Sequence, residues 1–322
     1  MDRAKLYIVV PCFNEEEVID NSINKLLDKL QRLISSDVVN ENSKIMFVND
    51  GSTDRTSKMI ATYCESDRHI GLINFSRNYG HQYAILAGMM VSKDYADIVI
   101  TIDADLQQDI EAIDDFVMKY YEGNDVVYGV RNDRSTDGLL KKGTAQIFYK
   151  LMSFLGCDVK NNSADYRLMS KKALDALGDF EESNLFLRGL IPTMGFKSDV
   201  VYFDVKEREA GKSKYTFKKM VTLAVDGITS LSIKPIRFLL GLGMLMCIFS
   251  IFMILFSLVE WAKGNNITGY STTVISIWMV GGCILLGQGI VGEYIGKMYF
   301  ETKKRPRYII ESMILPEESN KE

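Results

Sequence analysis

The sequence is poor in the side chains that most often build metal and redox centres. Only two histidines are present, His69 and His81, which excludes a multi-histidine metal site and leaves any metal to oxygen ligands, hence to a hard cation. Five cysteines, Cys12, Cys64, Cys157, Cys247 and Cys283, are scattered with no two three apart, so there is neither a zinc ribbon nor a CxxC redox motif. Tryptophan is confined to Trp261 and Trp278. No charge sign dominates: the net charge is −4, which gives no global reason for nucleic-acid binding. Internal repeats and low-complexity segments are also missing. With 25% charged and 47% hydrophobic residues, the chain is too apolar to be disordered. Its 322 residues correspond to about two domains.

The apolar residues are unevenly spread. Residues 238–259 form a run of 22 without a charge, and 264–292 are also uncharged and mostly apolar from Thr272 onward. A bilayer core takes about 20 such residues per helix. Two transmembrane helices are therefore expected, at about 236–259 and 272–295, joined by a short link into a hairpin. Basic residues cluster before the first (Lys212, Lys214, Lys218, Lys219, Lys234, Arg237) and after the second (Lys297, Lys303, Lys304, Arg305, Arg307), whereas the link holds only Lys263. By the positive-inside rule both termini are cytoplasmic. The N-terminal apolar run is too short for a signal peptide. The expected organisation is a cytoplasmic domain over 1–210, a juxtamembrane basic segment over 211–234, a membrane hairpin over 235–300 and a cytoplasmic tail over 301–322. Within the juxtamembrane segment, residues 215–231 have the pattern of an interfacial amphipathic helix that meets the lipid bilayer.

The cytoplasmic part alternates short apolar runs with amphipathic ones. Strands are expected over 5–10, 44–48, 70–75, 97–102 and near 125–128, and helices over 15–34, 54–64, 82–91 and 110–121. This is an α/β, Rossmann-like pattern: a mostly parallel sheet covered on both faces. Beyond about residue 130 the pattern weakens, with a helix expected over 141–155 and a strand over 199–205. Ligands of such sheets bind beyond the carboxyl ends of the strands. Polar clusters stand at those ends: PCFNEEE, NDGSTD, SRNYGHQ and DADLQQD.

Asp103 and Asp105, two residues apart on a strand-end loop, can converge with the Gln107 amide oxygen on one divalent ion, and Mg²⁺ or Mn²⁺ prefers such ligands shared with substrate phosphates. The Asp50-Gly51-Ser52-Thr53 segment has two accounts: a turn followed by a helix cap, or an Asp50 carboxylate that accepts a nucleobase imide N–H. Pro11 to Glu15 likewise serves as a strand-ending turn or as part of a ligand pocket.

Together these segments resemble family 2 glycosyltransferases of the GT-A fold, through Pro11-x-Phe13-Asn14-Glu15, Asp50-Gly51-Ser52-Thr53-Asp54 and Asp103-Ala104-Asp105. The resemblance is closer to the polyprenyl-phosphate sugar transferases, such as dolichol-phosphate mannosyltransferases and bactoprenol glucosyltransferases. It runs through Ser76-Arg77-Asn78-Tyr79-Gly80, Asp103 to Gln107, Gly129-Val130-Arg131, Asp165-Tyr166-Arg167-Leu168, Arg188-Gly189 and Arg208-x-x-Gly211-x-Ser213-Lys214-Tyr215. The resemblance implies that Pro11, Asn14, Glu15, Asp50, Arg77, Asp103 and Ala104 line a UDP-sugar pocket. It implies that Asp103, Asp105 and Gln107 hold Mg²⁺ or Mn²⁺, and that Arg131, Lys142, Arg188 and Lys214 grip the phosphate of undecaprenyl phosphate. Asp105, Arg131 and Asp165 are then the catalytic set, with Asp165 orienting the acceptor. Two positions depart from the pattern: His81 stands where lysine is frequent, and Gln108 where a small or charged residue is common. The second is expected to matter little to the metal.

The implied reaction is an inverting transfer that yields a β-linked lipid-phosphate sugar for the cell envelope, with a flippase and an extracytoplasmic glycosyltransferase downstream. A phosphate nucleophile is already ionised near neutral pH and needs no strong base. Two other readings compete. A processive polysaccharide synthase requires a Gln-x-x-Arg-Trp motif, and neither tryptophan lies in that setting. A non-catalytic scaffold or flippase subunit would not need the full set Asp50, Asp103, Asp105, Gln107 and Arg131. The glycines of the second span (Gly281, Gly282, Gly287, Gly289, Gly292) offer a packing face for its own hairpin or for a second copy.

Overall fold

The computed structural model describes residues 3–132, 163–182, 186–204 and 269–316, with scattered positions between 236 and 263. The expected helix over 141–155, the amphipathic segment over 215–231, Lys142 and Lys214 lie outside the described residues, as does much of the first expected span.

The first half is a regular alternation. Strands β1 (Leu6–Cys12), β2 (Lys44–Asn49), β3 (Ile70–Phe75) and β4 (Ile98–Thr101) are linked by α1 (Ile19–Ser35), α2 (Thr56–Ser66) and α3 (His81–Ser92). A short 3₁₀ turn (Ile110–Ala112) and α4 (Ile113–Tyr121) lead to β5 (Val126–Arg131). Then come β6 (Ser163–Ser170), α5 (Lys171–Gly178), α6 (Leu187–Thr193) and β7 (Ser198–Phe203). The sheet order is β7-β5-β6-β4-β1-β2-β3 and, last, a strand from the chain's far end, β8 (Ile310–Ile314). Six strands run one way, while β6 and β8 run against their neighbours.

The central strands are apolar at every position because both faces are covered. Alternate residues serve opposite cores. Leu6, Ile8 and Val10 of β1 pack with α1, α2 and α4, where Ile19, Ile23, Leu26 and Phe116 are buried. Tyr7 and Val9 pack with α3, α5 and α6, among Ala84, Ala87, Leu174 and Leu190. β1 lies between β2 and β4, whose connections run over opposite faces, so the strand order reverses there. That leaves a crevice beyond the carboxyl ends of β1 and β4.

Two strands were not legible in the sequence. β6 carries the Asp165-Tyr166-Arg167 segment into the sheet between β4 and β5. β8 converts part of the expected tail into an edge strand on β3. Between β7 and β8 runs α7 (Tyr270–Thr302), which contains the second expected span. Among the described residues it supplies one segment, Met279–Tyr299, long and apolar enough to cross a membrane, and none of that window is buried.

Candidate active site

The first three strand-end loops are sewn to one another. Val9 spends its carbonyl on Ile102, so Pro11, two residues on, faces the side where pairing with β4 has already ended and its missing N–H leaves no gap. Asn14 has φ 54°, a left-handed conformation that asparagine tolerates. It donates its N–H to Ser52 Oγ (3.0 Å), and its Oδ1 accepts from the Thr53 N–H (2.8 Å). The Glu15 N–H reaches Thr56 Oγ1 at 2.9 Å.

Asp50 is buried, and both of its oxygens are engaged with the loop after β3. Oδ1 accepts from the Tyr79 N–H (2.6 Å) and Oδ2 from the Gly80 N–H (2.9 Å). Burial pushes its carboxyl up from the usual range, against the pull of those two N–H groups. Gly51 has φ 66°, and a Cβ there would meet the Arg77 carbonyl carbon at 2.4 Å, so this position needs glycine twice over. The Asp-Gly pair therefore clamps the 76–80 loop. Arg77 on that loop lies over the Tyr79 ring, 4.1 Å from its centroid.

Asp103 and Asp105 follow β4 on a strained turn in which Leu106 has φ 46°. The turn is closed by the Leu106 N–H on the Asp103 carbonyl, and Ser22 of α1 donates to the Ala104 carbonyl at 2.6 Å. Gln108, buried to 2% exposure, holds Asp103 at two points. Its Oε1 accepts from the Asp103 N–H (2.9 Å), and its Nε2 donates to Asp103 Oδ2 (2.5 Å). Gln108 was expected to matter little to the metal; the structure shows its side chain reaching back five residues to hold Asp103, a contact that the sequence pattern does not reveal. Burial pushes the Asp103 carboxyl above its ordinary range; His81 opposes this, and Asp165 and Asp105 reinforce it.

Among the described residues no cluster of three or more His, Cys, Asp or Glu is arranged to hold a metal. Two carboxylates on one turn nonetheless fit a cation that takes its remaining ligands from phosphate and water.

Beside this turn β6 delivers Asp165, whose side chain is 6% exposed and flanked by two arginines. Arg167 Nη2 donates to Asp165 Oδ1 (2.7 Å), and Arg188 of α6 grips both oxygens, through Nε (3.0 Å) and Nη2 (2.8 Å). Gln82 of α3 adds a bond to Oδ2 (3.2 Å). Burial alone would push Asp165 up, but Arg188 and Arg167 outweigh it and hold the carboxyl well below the usual carboxylate range. Such a group orients its neighbours and makes a poor proton acceptor. His81, the first residue of α3, bridges the two acidic centres: Nε2 is 3.3 Å from Asp103 Oδ1 and 3.8 Å from Asp165 Oδ2. Arg131 closes β5 at the same edge of the sheet and is half-buried.

Residues 7–178, more than half of the chain, match the family described as glycosyl transferase family 2. The chain belongs to that family. It is 47% identical over 306 residues to an uncharacterized glycosyltransferase, YkoT, of Bacillus subtilis, covering 95% of this chain and 91% of that one. It is 39% identical over 313 residues to the bactoprenol glucosyl transferase of Shigella phage SfX, covering 96% and 99%. A prophage bactoprenol glucosyl transferase homolog of Escherichia coli is also 39% identical, with 95% and 98% covered. Among solved structures, a mannosyltransferase of Pyrobaculum calidifontis, in complex with GDP-Man and Mn²⁺, superposes with a TM-score of 0.50 at 13% identity over 92% of this chain and 85% of that one. The fold is GT-A-like.

In this family 2 glycosyltransferase the crevice gathers Pro11, Asn14, Asp50, Asp103, Asp105, Asp165 and Arg188 from five separate strand and helix ends. Four residues with a part in it were not singled out as site residues from the sequence: His81, Gln82, Gln108 and Arg167. The DADLQQD and SRNYGHQ runs contain three of them, but the sequence carries no sign of which amide turns back onto which carboxylate.

Proposed function

We propose that this chain is an inverting glycosyltransferase that moves a sugar from a UDP-sugar to undecaprenyl phosphate at the cytoplasmic face of the cell membrane. The observation that carries this reading is the near full-length identity to bactoprenol glucosyl transferases, joined to an Asp-x-Asp turn that lies beside an arginine-bound aspartate. The exposed apolar segment Met279–Tyr299 supports a membrane location, where a polyprenyl chain must stay.

In this reading Asp103, Asp105 and Gln107 hold a Mg²⁺ or Mn²⁺. When bound, the ion neutralises the charge that develops on the departing diphosphate. Gln108 fixes the Asp103 carboxylate in the orientation required. Pro11, Asn14, Glu15, Asp50 and Arg77 border the nucleotide, with Asp50 acting chiefly through the 76–80 loop. Each Asp50 oxygen keeps a second acceptor direction for an imide N–H. Arg131 and Arg188, with Lys142 and Lys214, position the acceptor phosphate by charge without removing its nucleophilicity. Asp165 orients Arg188 and takes no proton.

The test uses purified protein in detergent with undecaprenyl phosphate and Mg²⁺ or Mn²⁺. UDP-glucose, UDP-N-acetylglucosamine, UDP-galactose and GDP-mannose are supplied separately, and lipid products are read by mass spectrometry. The expected result is a chelator-sensitive lipid-phosphate sugar from one UDP-sugar, with Asp105→Ala reducing turnover by at least about 100-fold. Undiminished transfer by Asp105→Ala would sink the metal assignment. UDP binding without transfer from any donor would favour the scaffold reading.

A further inference from the structure

Seven residues separate the end of α7 from the strand β8, so an extended connection holds it within about 30 Å of the end of the apolar helix. Its pairing with β3 runs from Leu72 to Phe75 and continues to where β3 gives way to the 76–80 loop. The Ser76 N–H donates to the Ile309 carbonyl at 3.1 Å. Tyr308 stacks on Phe75, with ring centroids 5.2 Å apart and planes 13° apart, and Phe75 in turn meets Tyr79 edge-on at 5.6 Å. Tyr79 is the residue whose N–H holds Asp50. The pairing register slips between Asn74 and Phe75, which makes Glu311 the extra residue of a bulge at this point.

A second line of contacts runs deeper. Asn74 Nδ2 donates to Ser312 Oγ (3.1 Å), while Asn74 Oδ1 accepts from Asn49 Nδ2 (2.9 Å) and Ser57 Oγ (2.8 Å). Asn49 Oδ1 accepts from the Ser52 N–H (3.1 Å), and Ser52 Oγ accepts from the Asn14 N–H (3.0 Å). An unbroken polar chain thus joins β8 to the loop after β1. Two further contacts seat the segment: Arg307 donates to the Phe180 carbonyl, and a Cβ at Gly71 would meet Pro316 Cδ at 2.7 Å.

We propose that Tyr308 and Ser312, on the segment that follows α7, are positioning residues for the donor side of the site: they hold the 76–80 loop, and through Asn74 the Asn49–Ser52 turn, in the conformation that receives the nucleotide. The inference rests on reading those loops as the donor side. It makes the chain beyond the membrane-length helix a working part of the site, so that the catalytic sheet is complete only when this segment is docked. Neither residue touches the reacting atoms in this account; both act through Phe75, Tyr79 and Asn74.

The test uses the full chain in detergent, as wild type and as Tyr308→Ala, Tyr308→Phe and Ser312→Ala. Hydrogen exchange of the peptide covering 76–80 is read alongside the KM and kcat for the active UDP-sugar, UDP affinity by calorimetry and the unfolding temperature. Tyr308→Ala is expected to speed loop exchange and raise donor KM, each by up to about tenfold, with kcat within about twofold, since a ring pair of this kind is worth up to about one such factor. Tyr308→Phe keeps the ring and restores both. Ser312→Ala shifts both by about two- to threefold. Loop exchange unchanged in Tyr308→Ala would overturn the proposal, as would faster exchange with an unaltered donor KM. A wild type that binds no UDP and uses no UDP-sugar would remove the donor reading of the loops, and the exchange arm would still decide whether the segment holds them.

Discussion

The loops after β1, β2 and β3 and the acidic floor between β4 and β6 face the same crevice, but they are held by different forces. Around Asn14, Asp50 and Gly80 the contacts join backbone N–H groups to Asn14 and Ser52 side chains and to a single carboxylate, that of Asp50. On the floor, Asp165 and Arg167 are full charges withdrawn from water, and the half-buried Arg188 pairs with Asp165. Hydrogen bonds of the first kind contribute about 1 kcal/mol each and fail one at a time. A buried ionic cluster fails together, because each charge is tolerable only beside its partner. In the proposed reading, the loops that border the nucleotide are therefore suited to local adjustment, whereas the floor is a fixed reference for the acceptor.

Three substitutions test that contrast. The largest effect is expected for Asp165→Asn, which strands Arg167 at 1% exposure with its Nε already without a hydrogen-bond partner among the described residues. Chemical denaturation at pH 7 should show a loss of about 3–5 kcal/mol. The pH dependence follows from the depressed carboxyl. Its contribution is complete above the ordinary aspartate range near pH 4 and is lost only as pH falls through the lower folded value. Wild type and Asp165→Asn should therefore differ by a constant amount between pH 5 and 8, on the order of the figure above, and converge in strong acid. A gap that widened on acidification would contradict this account.

Asp50→Asn should cost less. An amide has one acceptor oxygen, so either Tyr79 or Gly80 loses its partner, at about 1–3 kcal/mol confined to the loop. Calorimetry with UDP should show affinity falling about tenfold while the unfolding midpoint moves little. A global destabilisation equal to that of Asp165→Asn would erase the distinction between the two regions.

Gln108→Ala leaves the Asp103 N–H without its partner and is expected to cost about 1–3 kcal/mol, no more than Asp50→Asn. This change frees Asp103 without removing a charge. Its mark should appear in turnover: kcat falling about tenfold and the concentration of Mg²⁺ or Mn²⁺ needed for half-activity rising severalfold, with donor KM nearly constant. Unaltered kcat and metal dependence would reduce Gln108 to a packing residue.

Much of this molecule is readable in advance because its regularities are local. The apolar runs that became β1 to β5, and the spacing of Ile19, Ile23, Leu26 and Leu30 on α1, each reflect a period that a window of residues can carry. Asp103 and Asp105 stand out in the sequence because two neighbouring carboxylates follow the end of such a run, and the structure places both on the turn after β4. β6 was missed because its residues serve as both sheet and site: an aspartate and an arginine sit in a strand interior where apolar residues are the norm. β8 was missed because Ile310–Ile314 looks like a tail until β3 is there to receive it.

By itself, then, the sequence determined the alternating α/β plan, the acidic turn after the fourth strand and the apolar helix near the C-terminus, since periodicity and composition are short-range properties. Only the tertiary structure decided that Asp50 holds a loop, that Gln108 holds Asp103, that Asp165 is locked between two arginines, and that the strand beyond α7 closes the sheet. Each of those facts is a contact between residues that chain order leaves unspecified, and folding makes the contact because a buried polar group must find its partner wherever the topology brings one.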